Sequence, residues 1–337
     1  MAGLTLLPES PGVYLMHDAA GRVIYIGRSK NLRARVRSYW GPLADRRRLR
    51  SMRERVAWVE PVLTTSEHEA AFLERHLLTR RRPAYNRALG GMESWVWLRL
   101  ATLAGAPGLV VTHEPDLGPG ETLFGPYLGG GDARNAAAAL LRLYPIHYTA
   151  VGSGGSLNEM ARVRGVGPED RLRLAKRIRA VLERRPDAVR TALAELAMLR
   201  DEAAAEDRFE DAALRQAHLL AVDWLAQAQQ VAMLDGLDFE VAATATVRGA
   251  SVRVAFEVKK GSFWDRHATL GEESDPQAPL HADPHWLALA QANAELLARM
   301  YVAGAVGLGL GRLTALKPRR PDTGQRSGSA AGNLEPR

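Results

Sequence analysis

The chain has 337 residues, 46% of them hydrophobic and 25% charged, which suits two or three compact soluble units. It carries a formal charge of +7 and no cysteine, which excludes disulfides, cysteine-ligated iron–sulfur clusters and thiolate zinc sites. No apolar run reaches membrane-spanning length and no charged segment followed by an apolar run opens the chain, so a cytoplasmic protein with no membrane partner is expected.

In chain order, Val13–Met16 and Arg22–Ile26 read as two strands joined by the turn Asp18-Ala19-Ala20-Gly21. Closing on that loop sets Tyr14 opposite Tyr25 and Leu15 opposite Ile24. One face then carries Val13, Leu15, Ile24 and Ile26, and the other both tyrosines. Ser29 or Asn31 caps a helix running to about Tyr39, with Leu32, Val36 and Tyr39 as its stripe. Trp58–Leu63 reads as a third strand. Ser66 and Glu69 form a capping-box pattern opening a helix that Pro83 stops after about Arg81.

Further on, Trp95–Leu100 and Gly108–His113 suggest strands and Asp132–Leu143 a helix. Val151–Ser156 reads as a linker. Glu169–Ala180 reads as a basic helix, and Asp187–Leu234 as a long helical pattern interrupted near Asp207–Arg208. Phe239–Ala245 and Ser251–Lys259 suggest a hairpin and His285–Tyr301 a helix. His281, Asp283 and His285 cluster in sequence, but Pro284 breaks a helical pairing of the histidines. The Pro/Gly/Ser/Arg-rich tail is expected to be disordered.

The positive charge is concentrated. Residues 1–90 hold 17 Lys/Arg against 8 Asp/Glu, and the remainder 28 against 30. Lys30, Arg33, Arg37, Arg46, Arg47, Arg48 and Arg50 make that segment a candidate phosphate-backbone surface, so DNA is the expected partner. Phosphodiester cleavage needs an activated water, charge stabilisation on phosphoryl oxygens and help for the leaving oxygen. Glu74 offers a carboxylate to one hard divalent cation, Mg²⁺ or Mn²⁺. Arg35 offers a planar fork to phosphate. Tyr14 or Tyr25 orients or deprotonates the water, which requires nearby cations to favour phenolate. The plainer alternatives are a helix-edge glutamate paired with an arginine, cross-strand aromatic packing and a solvated arginine.

The text PGVYLMHDAAGRVIYIGRSKNLRARVRSYW followed by SEHEAAFLERHLLTRRRPAYN resembles the GIY-YIG nuclease domain of bacterial UvrC excinuclease subunits and their shorter Cho-type homologues. The resemblance implies an α+β fold, a small mixed sheet flanked by helices, with one metal on Glu74; many relatives also carry a cysteine cluster after this domain, but this chain has no cysteine, so no iron–sulfur cluster is expected. It implies Tyr14, Tyr25, Arg35 and Glu74 as the catalytic set. Gly27, Arg28, Tyr39 and Asn86 would support it. Arg28 stands where UvrC proteins usually have lysine; it keeps the charge but is no proton carrier near neutral pH. Phe124-Gly125-Pro126-Tyr127 and the helix after it look like the UvrC segment following the nuclease domain. Leu193–Leu225 looks like a UVR motif, a helical hairpin that binds the helicase subunit UvrB, with Phe209, Ala213, Ala217 and Leu220 as its contact stripe. Packing of that hairpin within its own chain is the alternative.

The expected organisation is a nuclease domain over 1–90, a mixed α/β segment over 91–150 and a helical region over 157–234 containing the 193–225 hairpin. A small, shortened α+β region over 235–317 and a tail over 318–337 follow, with no two-metal carboxylate set in Asp235, Asp238, Glu240 and Asp265. The expected function is a metal-dependent DNA endonuclease making a single-strand, 3′-side incision in nucleotide excision repair. The alternatives are a catalytically weak adaptor binding DNA or UvrB, and a GIY-YIG nuclease outside excision repair.

Overall fold

The structure is a computed structural model, and it describes residues 4–41, 47–86, 94–151, 155–228, 238–259, 262–270 and 284–306. Among the described residues it is α+β, with three antiparallel three-stranded sheets and helices packed against them. Asp235, the expected tail, and His281 and Asp283 lie outside the described residues, as does Arg46. Among the described residues no three His, Asp or Glu side chains group as a metal site. Nor is any described helix long and apolar enough to cross a membrane.

The first sheet has the order β2-β1-β3, with β1 (Gly12–His17) central between β2 (Val23–Ser29) and β3 (Trp58–Leu63). The register differs from the sequence expectation. Tyr14 lies opposite Gly27, and Tyr25 lies opposite Met16. The cause is the turn. Asp18 Oδ1 accepts from Ala20 N and Arg22 N, and Asp18 N donates to Arg22 O. That closes a longer loop and leaves a bulge after Met16. The slip is two residues, an even number, so the faces survive and Tyr14 and Tyr25 remain on one side.

Asn31 caps α1 (Leu32–Ser38) by accepting from Ala34 N. A basic helix, α2 (Arg47–Arg55), precedes β3. Ser66 caps α3 (Glu67–Arg81) by accepting from Glu69 N. The reciprocal half of the capping box is absent, because Glu69 Oε2 accepts from Thr65 N while Oε1 meets His285. Arg82 takes a left-handed conformation just before Pro83 and ends the helix.

The middle sheet pairs β4 (Trp95–Ala101) with β5 (Leu109–Thr112) and with β6 (Glu121–Leu128), a strand not expected from sequence that contains the Phe-Gly-Pro-Tyr run. It packs with α4 (Gly130–Leu143), α6 (Arg171–Leu182), α7 (Pro186–Ala205) and α8 (Phe209–Ala226) in one hydrophobic cluster. The break between α7 and α8 falls at Asp207, whose φ is +56°. A further helix, α5 (Gly155–Arg164), occupies part of the expected linker and buries none of its side chains.

The third sheet, β7 (Phe239–Val247), β8 (Ala250–Lys259) and β9 (Ser262–Leu270), is backed by α9 (Pro284–Val302). The sequence gives no hint of its strand β9, or that this unit shares a continuous core with residues 4–86. The Asn293 amide receives Leu63 N–H at 2.8 Å and donates to Leu63 O at 3.2 Å, covering the outer edge of β3. Glu60 is buried against His17 and Arg266, and Arg80 pairs with Asp265 at 2.9 Å. These contacts enclose α3 on several sides, which explains why its first half is buried around most of its circumference.

Candidate active site

The tyrosine face of the first sheet meets α1 in a cluster of three rings. Tyr14, Tyr25 and Tyr39 lie with centroids 5.9–6.2 Å apart. Tyr14 Oη is 2.7 Å from Tyr39 Oη, and Tyr39 O–H donates to Tyr25 Oη at 3.3 Å. Tyr39 uses its one proton on Tyr25, so Tyr14 donates to Tyr39. Arg35 donates to Tyr14 and lies 5.3 Å from the centre of the Tyr39 ring. The donors therefore run Arg35, Tyr14, Tyr39, Tyr25, and Tyr25 keeps its own proton for a group outside the chain of hydroxyls.

Accessibility separates the tyrosines. Tyr14 is 1% exposed, whereas Tyr25 is partly open. Gly27 makes the packing possible: a Cβ there would sit 2.3 Å from Tyr14 Oη. Gly12 is needed for a different reason, since its Cβ would meet Val62 O at 2.3 Å.

Burial and neighbouring charges hold Tyr14 and Tyr25 protonated. Burial, followed by the proximity of Tyr25 and Tyr39, pushes the Tyr14 hydroxyl far above its ordinary value. Burial and Tyr39 do the same to Tyr25; Arg35 pulls it back and Glu74 adds to the rise. The cations expected to favour phenolate do not win in this arrangement.

Glu74 projects from α3 with its side chain 20% exposed, and Arg28 Nη1 lies 3.5 Å from Glu74 Oε2. A single carboxylate beside tyrosine hydroxyls is a hard, oxygen-rich donor set. It fits a Mg²⁺-type ion that keeps most of its waters and takes one or two protein carboxylates. Asn86 braces β2: its Oδ1 accepts from Ile26 N at 2.9 Å and its Nδ2 donates to Ile26 O at 2.8 Å. Next to it, Tyr85 Oη meets Ser51 Oγ at 3.0 Å, tying this segment to α2.

The structure brings Tyr14, Tyr25, Tyr39 and Arg35 into contact, sets Glu74 and Arg28 beside one another, and places Gly27 and Asn86 as supports. Lys30, Arg37 and Arg50 are exposed. Arg33 is engaged with its own chain, through Leu7 O and Glu9. For Arg47 and Arg48 the helical backbone alone is described. On α8, Phe209, Ala213 and Leu220 are exposed and Ala217 half-buried, while Ala221, Val222, Trp224 and Leu225 face the core. Sequence reasoning missed the buried Glu60 and its partners; a glutamate amid Val59, Pro61 and Val62 was the available signal.

Residues 10–87 match the family model described as the UvrC-like GIY-YIG domain. The chain is 41% identical over 147 residues to the UvrABC system protein C of Geobacter metallireducens, covering 43% of this chain and 24% of that protein. It is 31% identical over 275 residues to the UvrABC system protein C of Gloeobacter violaceus, covering 78% of this chain and 43% of that protein. The chain thus spans less than half the length of these curated relatives. Among solved structures it is similar to the GIY-YIG N-terminal endonuclease domain of UvrC from Thermotoga maritima bound to its catalytic divalent cation, magnesium. That similarity has 37% identity, covers 25% of this chain and 91% of that domain, and has a TM-score of 0.23.

Proposed function

We propose that this chain, with its UvrC-like GIY-YIG domain at residues 10–87, is a metal-dependent DNA endonuclease of nucleotide excision repair that cuts one strand on the 3′ side of a lesion. The observation that carries the reading is the juxtaposition of the hydroxyl chain of Tyr14, Tyr39 and Tyr25 with Arg35, beside the partly open carboxylate of Glu74.

In this reading Glu74 holds one Mg²⁺ or Mn²⁺, which supplies Lewis-acid charge to the phosphoryl oxygens. Arg35 contacts the scissile phosphate through its guanidinium fork. Tyr25, the more accessible tyrosine, would orient the attacking water; with added positive charge nearby it would release its own proton to solvent, and the resulting phenolate would accept the water's proton. Tyr14 acts as a positioning residue, holding Tyr39 and through it Tyr25. Exposed Lys30, Arg37 and Arg50, with Arg46, Arg47 and Arg48 of the same run, bind DNA backbone. Phe209, Ala213, Ala217 and Leu220 form the surface for UvrB. The cytoplasm is the expected compartment.

A second reading, a DNA- or UvrB-binding adaptor with weak catalysis, is favoured by two observations. Arg28 already pairs with Glu74, and Tyr14 and Tyr25 hold their protons tightly. Nicking of damaged and undamaged plasmid with Mg²⁺ or Mn²⁺ separates the two. A nuclease nicks, and Glu74→Ala loses at least about 100-fold of that rate. Intact DNA binding without nicking under either metal identifies the adaptor. Equal nicking by Glu74→Ala removes the proposed metal ligand.

A further inference from the structure

Away from the tyrosine cluster, α4 packs on α8, and α5 packs on the 3-10 turn Ile146–Thr149 that follows α4, which brings arginines from three helices to one corner of the middle unit. Arg142 lies at the end of α4, Arg164 at the end of α5, and Arg208 and Arg215 at the start of α8. Most neighbouring arginines have a carboxylate: Arg162 pairs with Glu159, Arg173 with Asp170 and Arg177 with Glu195. Asp211 is shared between Arg208 and Arg215, and Arg208 is further held by Glu206. Among the described residues Arg142 and Arg164 have no ion pair.

Buried polar atoms at the corner also lack partners. Arg215 is 4% exposed and its Nη1 has no hydrogen-bond partner; the Nδ1 atoms of His147 and His218 are likewise buried without one. Arg142 is half-buried and sits near both Arg164 and Arg208. Burial and then these two like charges hold its proton affinity down, against Asp211. Burial holds His147 and His218 below the ordinary imidazole value; Arg164 adds to this at His147 and Arg142 at His218, where Asp211 opposes it. Positive charge that its own chain leaves uncompensated and partly desolvated is stabilised by an anion from outside.

We propose that this corner, built by α4, α5 and the start of α8, is a second anchoring site for nucleic-acid phosphate, with Arg142 and Arg164 as the contacting residues. A backbone with repeated phosphates can reach both guanidiniums, which stand on different helices. The nuclease unit, where residues 1–90 concentrate the basic charge, then holds the segment to be cut. The middle unit holds a second stretch of the same molecule.

The inference rests on DNA being the substrate. The test is equilibrium binding of a fluorescent duplex to the full chain carrying Glu74→Ala, at several salt concentrations, with and without Arg142→Gln/Arg164→Gln. The expected result is a roughly tenfold loss of affinity and a salt slope smaller by about 0.9 per lost contact. Arg164 is exposed on a helix that buries no side chain, so Arg164→Gln alone serves if the double variant does not fold. It should lower the slope by about 0.9 by itself. Unchanged affinity and slope overturn the site, including the case in which an acidic protein proves to be what binds there. Failure of the parent chain to bind any DNA instead refutes the function from which the inference starts.

Discussion

The guanidinium of Arg28 lies 3.5 Å from the carboxylate of Glu74, so the proposed metal ligand already has a cation of its own. A divalent ion must displace or share that partner. Both side chains are partly solvated, so the pair is worth about 0.2–1 kcal/mol. Arg28→Ala should therefore tighten Mn²⁺ binding roughly 1.4- to fivefold, in keeping with that range. Titration followed by Mn²⁺ electron paramagnetic resonance measures it. Weaker binding in Arg28→Ala would mean that Arg28 supports the ion rather than competing with it.

Gly27 faces Tyr14 across the hairpin, and an added Cβ would stand 2.3 Å from the hydroxyl and 2.6 Å from Cζ. The ring is buried on a central strand and has nowhere to retreat. Gly27→Ala should destabilise the fold by about 1–3 kcal/mol, the usual range for overpacking. It should also break the Tyr14–Tyr39 contact and lower nicking more than DNA binding. Urea denaturation and plasmid nicking read the two effects; a variant with unchanged stability and activity would show that the strands can separate here.

How much of this was legible in the sequence follows the range of the interactions. Ser66, Asn31 and Pro83 act within a few residues, and the helices begin and end where those signals stand. The hairpin faces were readable from alternation, whereas its register depended on how Asp18 folds back on Ala20 and Arg22. Strand β6 carries Gly125 and Pro126, which mask its pattern. Glu60 and Arg266 are separated by 206 positions, and no periodicity connects them. For the site, residue identities came from spacing, but the order of hydroxyls and the pairing of Arg28 required three-dimensional contacts.

Glu60 is 3% exposed and meets Arg266 and His17, both nearly as buried. Burial raises its proton affinity, but Arg266 and His17 outweigh that and hold the carboxyl well below its ordinary range. Glu60→Gln removes the charge and leaves Arg266 desolvated. Breaking one side of a buried pair costs about 3–5 kcal/mol. Thermal or urea unfolding of the full chain should show that loss. A change below about 1 kcal/mol would mean that water reaches Arg266 and replaces the carboxylate.

His68 gives the chain a distinct acid sensitivity. It is 0% exposed, its Nε2–H donates to Trp224 O at 2.8 Å, and its Nδ1 is buried without a partner. Burial pushes its pKa down from 6.5 to about 4. A base with a depressed folded pKa contributes stability that is complete above the unfolded value. Between 6.5 and about 4 the unfolded chain binds a proton that the folded chain refuses. Stability should thus fall by up to about 3 kcal/mol across that window, at about 1.4 kcal/mol per pH unit. Glu60 adds nothing until lower pH, because its folded pKa lies below its unfolded one and its contribution is lost only from the ordinary carboxylate range downward. Urea unfolding at pH 7, 5.5 and 4.5, with wild type and His68→Gln, isolates the histidine. The variant should be weaker at pH 7 and lose less on acidification; equal slopes in the two proteins would show that His68 is not the group being titrated.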